Sequence, residues 1–189
     1  IIYDDLNKNE LEYINSCTKN DQRVKIICNE RNRGVAYSRN RGISIARGEY
    51  IAFLDCDDYW EVNKIEMQLN FMSNNNHDFS HTTYKVVNKN YKIIRTIRVQ
   101  QKLKYNDLLK SCDIGLSSVV LKRSLLDNMK FPELKTKEDF VLWLSLAKKS
   151  INLIGLDKPL VFWRQTPNSL SSSIIQKLKD AFRVYYLYE

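Results

Sequence analysis

The chain has 189 residues, 43% hydrophobic and 28% charged, with a formal net charge of +8. That balance fits one soluble globular domain, or one domain with a small extension. It holds no apolar run near the roughly 20 residues that span a bilayer and no visible secretory signal, so a cytoplasmic protein is expected. The four cysteines, Cys17, Cys28, Cys56 and Cys112, form no Cys-x-x-Cys pair. They point to free thiols and away from zinc. His77 and His81 read as surface polar residues.

The segment Ile1-Ile2-Tyr3 runs into Asp4-Asp5 and reads as the end of a strand whose start is missing. A helix is expected over Asn9 to Lys19, with Leu11, Ile14 and Thr18 on one face and Asn7 or Asn9 as its cap. Val24 to Cys28 reads as a strand, Asn29 to Gly34 as a polar loop, and Val35 to Arg47 as a helix closed by Gly48. Tyr50 to Leu54 is uncharged and reads as a strand buried on both faces. The first sixty residues thus alternate strand and helix, which argues for parallel strands with crossover helices. In such sheets ligands sit at the carboxyl ends of the strands, where Asp4-Asp5 and the cluster after Leu54 both lie.

Beyond Trp60, the pattern predicts a helix over Val62 to Met72, with Gln68 on its polar side. Strands follow over Phe79 to Val87 and Lys92 to Val99, then a short helix over Tyr105 to Ser111 and a strand over Gly115 to Leu121. Lys137 to Lys149 is strongly amphipathic, with Phe140, Trp143, Leu144 and Ala147 on its apolar face. Short strands over Leu153 to Leu156 and Leu160 to Trp163, a polar loop from Arg164 to Ser173 and a last helix over Ile174 to Glu189 complete the chain. The stripe Ile174, Leu178, Ala181, Phe182 and Tyr185 is expected to pack on the domain rather than on a membrane.

Charge is unevenly spread. From Lys85 to Lys104 there are seven basic residues and no acidic one. An anionic partner, such as a membrane surface, a phosphorylated acceptor or nucleic acid, is one reading, and a solvated face is the favoured one. No nucleic-acid module accompanies the charge. Negative charge instead concentrates at Asp55, Asp57 and Asp58. Two such charges about 5 Å apart repel by roughly 3 kcal/mol at an effective dielectric near 20. A divalent cation, nearby arginines or protonation would offset that. An acidic turn left in water is the plain alternative.

These residues resemble glycosyltransferase family 2. The resemblance rests on Asn32-Arg-Gly-Val-Ala-Tyr-Ser-Arg-Asn-Arg-Gly42 and on Ala46-Arg-Gly-Glu-Tyr-Ile-Ala-Phe-Leu-Asp-Cys-Asp-Asp-Tyr-Trp60. Asp4-Asp5, Glu138-Asp139 before an apolar helix, Trp163-Arg164 and Asn168-Ser-Leu-Ser171 add to it. It implies an α/β fold of the GT-A type, mostly parallel with flanking helices, whose first strand and helix are missing here. It places a catalytic domain over 1–173, with a nucleotide-sugar half to about residue 84 and an acceptor half beyond, and a C-terminal helix over 174–189. It implies transfer from a nucleotide-diphospho-sugar, with inversion, to a saccharide or lipid-linked acceptor of the bacterial surface. Asp4 or Asp5 would contact the base, and Asn32 and Arg39 would line the nucleotide pocket. Asp57 would ligate Mg²⁺ or Mn²⁺ with Asp55 near the ribose and metal. Asp139 would be the catalytic base, and Arg164 would approach the diphosphate. Peripheral membrane contact is left open, and nucleic acid is not expected.

Two departures and several rivals accompany this resemblance. The family's Pro-x-Tyr-Asn-like opening is absent, and Asp4-Asp5-Leu6-Asn7 stands where Asp-Asp-Gly-Ser is usual. Thr136 to Asp139 also spells a capping box, which gives Asp139 a structural role of its own. A dehalogenase-type phosphatase would also use a strand followed by Asp-x-Asp, but on its first strand. A calcium loop fails because Trp60 stands where glycine is needed. A truncated, inactive domain that binds a nucleotide or a polyanion is the remaining alternative.

Overall fold

The computed structural model describes residues 1–165 and 174–187. Strand β1 (Ile2–Tyr3) pairs in parallel with β2 (Ile27–Cys28), and helix α1 (Leu11–Thr18) connects them. Helix α2 (Val35–Ile45) then leads to β3 (Tyr50–Ala52). This is the expected alternation, but β1 and β2 form a sheet of their own. The larger sheet runs β3, β8 (Val120–Lys122), β5 (Phe79–Val87), β9 (Leu153–Arg164) and β4 (Tyr59–Trp60). Strand β6 (Ile93–Ile97) joins β5, and β7 (Lys102–Leu103) joins β9. Only β5 and β9 run parallel there, and the other pairings are antiparallel. The expected mostly parallel sheet is therefore a mixed one: β5 and β6, after α3 (Lys64–Asn74), form a hairpin, and β3, β4 and β7 pair antiparallel with strands distant in sequence.

The main core lies between this sheet and α5 (Glu138–Lys148). Trp143 of α5 is fully buried and meets Phe79 edge to face, with ring centroids 5.3 Å apart. Ala36 of α2, Ile51 and Leu108 of α4 (Tyr105–Lys110) join the same cluster. The amphipathic pattern of α5 is thus what seats it, and Glu138 and Asp139 open it at the rim of the sheet.

Several local expectations change on folding. Residue 10, a glutamate, caps α1 in place of Asn7 or Asn9, and no side-chain bond is made there. Strand β3 is not buried on both faces: Ile51 and Phe53 are covered, while Ala52 and Leu54 are exposed. It is an edge strand, so an apolar run did not imply two covered faces. The predicted strand Gly115 to Leu121 is a 3₁₀ turn at Leu116–Ser118 followed by β8. The strands expected on either side of Asp157 are halves of β9, whose ladder with β5 breaks before Val161. Pro159, which lacks an N–H, falls in that break. Gly155 has no room for a side chain, since a Cβ would lie 2.2 Å from the Gln100 carbonyl oxygen. The four cysteines are free, as expected. The basic residues of 85–104 fall on β5, β6, β7 and the loops between them, and among them Arg98 pairs with Asp157. Helix α6 (Ile174–Leu187) docks through buried Val184, while Leu178, Phe182 and Tyr185 of the expected packing stripe are exposed. The side chains of Ile174 and Ala181 lie outside the described residues, as do residues 166–173 with their Asn168 to Ser171 match. No helix among the described residues is long and apolar enough to cross a membrane.

Polar side chains are buried on both faces of β5: His81, expected at the surface, lies on the Phe79 face, and Gln68 and Lys64 of α3 lie against the Ser80 face. His81 is buried and depressed to about 4 by burial. Gln68 is also buried, donating to Ser80 and to the Ser118 carbonyl. Lys64 is 0% exposed; it donates to Gln68 Oε1 at 2.8 Å and lies over the Trp60 ring. Burial pushes its ammonium down to about 7. The unfolded lysine keeps its proton to about pH 10.4. Between those two values the unfolded chain binds more protons, so stability should rise with pH. In urea titrations from pH 7 to pH 9, the free energy of unfolding is expected to climb for the parent relative to Lys64→Met. Parallel pH curves would show that Lys64 releases no proton on folding.

Candidate active site

A cavity of about 510 Å³ opens where β3, the 3₁₀ turn, the end of β9 and the start of α5 converge. It is lined by Arg39, Asp55, Asp57, Asp58, Asp139 and Arg164, among others. Five of the residues assigned to donor, metal or catalysis therefore meet in one place. The other three, Asp4, Asp5 and Asn32, do not line it. Both oxygens of Asp4 serve the loop after β2: Oδ1 accepts from Asn29 at 2.6 Å and from the Arg33 N–H, and Oδ2 accepts from the Gly34 N–H. Burial raises this carboxyl, but those hydrogen bonds outweigh it and hold it below the usual range. Gly34, at φ 83°, caps α2 in a conformation open mainly to glycine. Asp5 and Asn32 are exposed.

The three clustered carboxylates have different environments. Asp55 accepts from Arg39 Nη2 at 2.7 Å. Asp58 accepts from the Ser117 hydroxyl at 2.6 Å and from the Arg164 backbone N–H at 3.0 Å. Burial pushes Asp58 up to about 6, against those two hydrogen bonds, and the neighbouring Asp55 and Asp57 charges add to the rise. Asp57 has no hydrogen bond or ion pair among the described residues. Its carboxylate is thus the one left for a ligand. No group of three metal-type side chains gathers among the described residues. One free carboxylate beside a half-engaged one suits a hard cation that takes its remaining oxygens from phosphate and water.

Arg39 joins the two banks of the cavity. Its guanidinium pairs with Asp55 on one side and with Glu138, 99 residues away, on the other. It also lies over the Phe131 ring. Burial would lower its pKa, but the two carboxylates outweigh that and raise it. Glu138 is buried, which raises its carboxyl; the Asp139 charge adds to this and Arg39 opposes it.

Asp139 does not close a capping box. The cap of α5 is Lys137, in a left-handed conformation at φ 64°, with no side-chain cap bond. Asp139 Oδ1 accepts from the adjacent Phe140 N–H at 2.8 Å. Desolvation raises its carboxyl, and Arg39 and the Phe140 N–H oppose the rise. The helix N-terminus therefore does not dominate its titration, and a half-buried carboxyl with a raised pKa faces the cavity.

Sequence reading missed the pairing role of Glu138 and the division of labour between Asp58 and Asp57. Ser117 is buried, lines the cavity and accepts from the Asp55 N–H at 3.1 Å. No local pattern announces these roles, since each partner comes from a distant segment.

This arrangement is that of a nucleotide-sugar transferase fold. Residues 1–130 match Glycosyl transferase family 2. The chain is 39% identical over 180 residues to the Escherichia coli UDP-Glc:alpha-D-GlcNAc-diphosphoundecaprenol beta-1,3-glucosyltransferase WfgD, covering 88% of this chain and 70% of that protein. It is 33% identical to the putative teichuronic acid biosynthesis glycosyltransferase TuaG of Bacillus subtilis, covering 90% of this chain and 67% of the relative. The crystal structure of S. aureus TarS residues 1–349 with UDP-GlcNAc superposes with a TM-score of 0.73 at 20% identity, over 91% of this chain and 51% of that one. The chain thus spans about half of that solved structure. It belongs to glycosyl transferase family 2 and has the GT-A fold.

Removing Arg39 would leave the buried Glu138 without its cation. Breaking a buried pair by deleting one partner costs about 3–5 kcal/mol. Arg39→Met is expected to lower the unfolding free energy by that order in guanidinium titrations, with an unchanged m-value. A loss below about 1 kcal/mol would mean that Glu138 needs no partner.

Proposed function

We propose that the chain moves a sugar from a UDP-sugar to a saccharide or lipid-linked acceptor in bacterial surface polysaccharide synthesis, with inversion and with Asp139 as the base. The observation that carries this is the pairing, across one cavity, of the Asp57 carboxylate, which has no partner among the described residues, with the half-buried Asp139 carboxylate. Relatives named as glucosyl- and teichuronic acid glycosyltransferases support the polymer class. A solved relative in complex with UDP-GlcNAc supports a uridine diphosphate donor.

In this reading the acceptor hydroxyl oxygen attacks the anomeric carbon from the face opposite the diphosphate. The new C–O bond forms as the bond to the diphosphate oxygen breaks, and the diphosphate leaves with that electron pair. Asp139 takes the hydroxyl proton, and its raised pKa brings it nearer the working range of a base. Arg164 offers planar donors to the diphosphate. Arg39 is held by Asp55 and Glu138, so its part is to fix the carboxylate bank. A Mg²⁺ or Mn²⁺ ion at Asp57, with Asp55 beside it, would supply Lewis-acid stabilisation of the leaving diphosphate.

Two measurements test this. UDP-glucose with Mn²⁺ should raise the melting temperature of the parent, and chelator or Asp57→Ala should each remove the effect. A ligand at 100 times its dissociation constant adds about 2.7 kcal/mol. Equal stabilisation in chelator, together with a silent Asp57→Ala, would rule out the metal site. For the base, Asp139→Asn in the intact protein should cut transfer to a lipid-diphosphate-linked GlcNAc acceptor by about 10²–10⁴-fold while donor binding is kept. Transfer at the parental rate would remove Asp139 from the chemistry.

A further inference from the structure

The turn between β5 and β6 carries an unusual residue. Tyr91 has φ 60°, the left-handed region that an aromatic L-residue seldom occupies. The turn around it is otherwise well formed. The Asn88 N–H donates to the Lys92 carbonyl, the Tyr91 N–H donates to the Asn88 carbonyl, and Asn88 Oδ1 accepts from the Asn90 and Lys92 N–H groups. Glycine or asparagine would fit this position at lower conformational cost. Tyr91 is also 57% exposed, so burial of its ring does not explain it.

What the ring touches does. Its edge meets Tyr59, with centroids 5.7 Å apart, and Tyr59 stacks on Phe162 at 4.4 Å. The Arg164 guanidinium lies over the Tyr91 ring, 5.9 Å from its centroid, and Arg164 Nη1 donates to the Tyr91 hydroxyl at 3.4 Å. Arg164 is fixed at its backbone by Asp58, yet its Nε is buried with no partner among the described residues. The side chain is therefore steered from one side and left with an unused donor beside the cavity.

We infer that Tyr91 is a positioning residue. Its ring and hydroxyl, braced on Tyr59 and Phe162, set the Arg164 guanidinium at the cavity mouth for the second phosphate of a nucleoside diphosphate. The inference rests on the donor-site reading above. It explains why a strained tyrosine stands in an exposed turn: the conformation directs the ring back over Arg164.

The test compares UDP with UMP by titration calorimetry, with Mn²⁺ present, for the parent, Tyr91→Gly and Tyr91→Phe. Glycine relieves the backbone and removes the brace. Tyr91→Gly is expected to keep the melting temperature within about 3 °C of the parent. It should weaken UDP by about threefold to tenfold and leave UMP within twofold, as loss of a cation–π contact and a weak hydrogen bond would. Tyr91→Phe, which keeps the ring and loses the hydroxyl, should fall between. Unchanged UDP affinity in Tyr91→Gly overturns the inference while the donor site stands. Parallel losses for UDP and UMP, or a large fall in melting temperature, assign Tyr91 to packing and also overturn it. A parent that binds neither nucleotide overturns the donor-site reading and, with it, the role of Tyr91.

Discussion

The site depends on one guanidinium. Arg39 bridges Asp55, at the end of β3, and Glu138, at the start of α5. Without it, the cavity would bring Asp55, Asp57, Asp58, Glu138 and Asp139 together against mutual repulsion of several kcal/mol. With it, one positive charge is shared between two of the five, and the two banks of the cavity are tied together. The Arg39 side chain is only 13% exposed, so water screens these pairs less than it would on the surface. The planar fork of arginine allows one residue to serve two carboxylates at once, which a lysine point charge does less well.

That bridge also sorts the remaining acids. Asp58 is used inside the protein, tying the loop to Ser117 and to the backbone of Arg164. Asp57 is left without a partner among the described residues, and Asp139 is left desolvated. Three neighbouring aspartates of similar intrinsic acidity thus have three environments. The difference comes from which distant segment reaches each of them: α2 for Asp55, the 3₁₀ turn and β9 for Asp58, and none among the described residues for Asp57.

Behind the site lies a polar layer where an apolar one would be simpler. Lys64, Gln68 and Ser80 connect α3 to β5 and reach the Ser118 carbonyl, while the Trp60 indole donates to the Ser117 carbonyl at 2.7 Å. The turn that carries Ser117 is thus held from behind by directional bonds. Apolar packing would hold its position but fix its orientation less firmly.

Much of this was legible in the sequence. The periodicity of α5, the bounds of β5 and the order of the first five elements follow from hydrophobic pattern and turn chemistry, which act over a few residues. The gathering of acids after Leu54 is read directly from the sequence, and the family from the ordered set of motifs around it. The tertiary structure alone decided the rest. That Lys64, Gln68 and His81 are buried depends on a second element packing over them, and a polar side chain does not reveal its cover. That Asp4 serves a loop depends on hydrogen bonds spanning tens of residues. The mixed sheet, the edge position of β3 and the meeting of Arg39 with Glu138 arise from long-range pairing. A local pattern specifies which face of a strand is apolar, but not what finally lies against it.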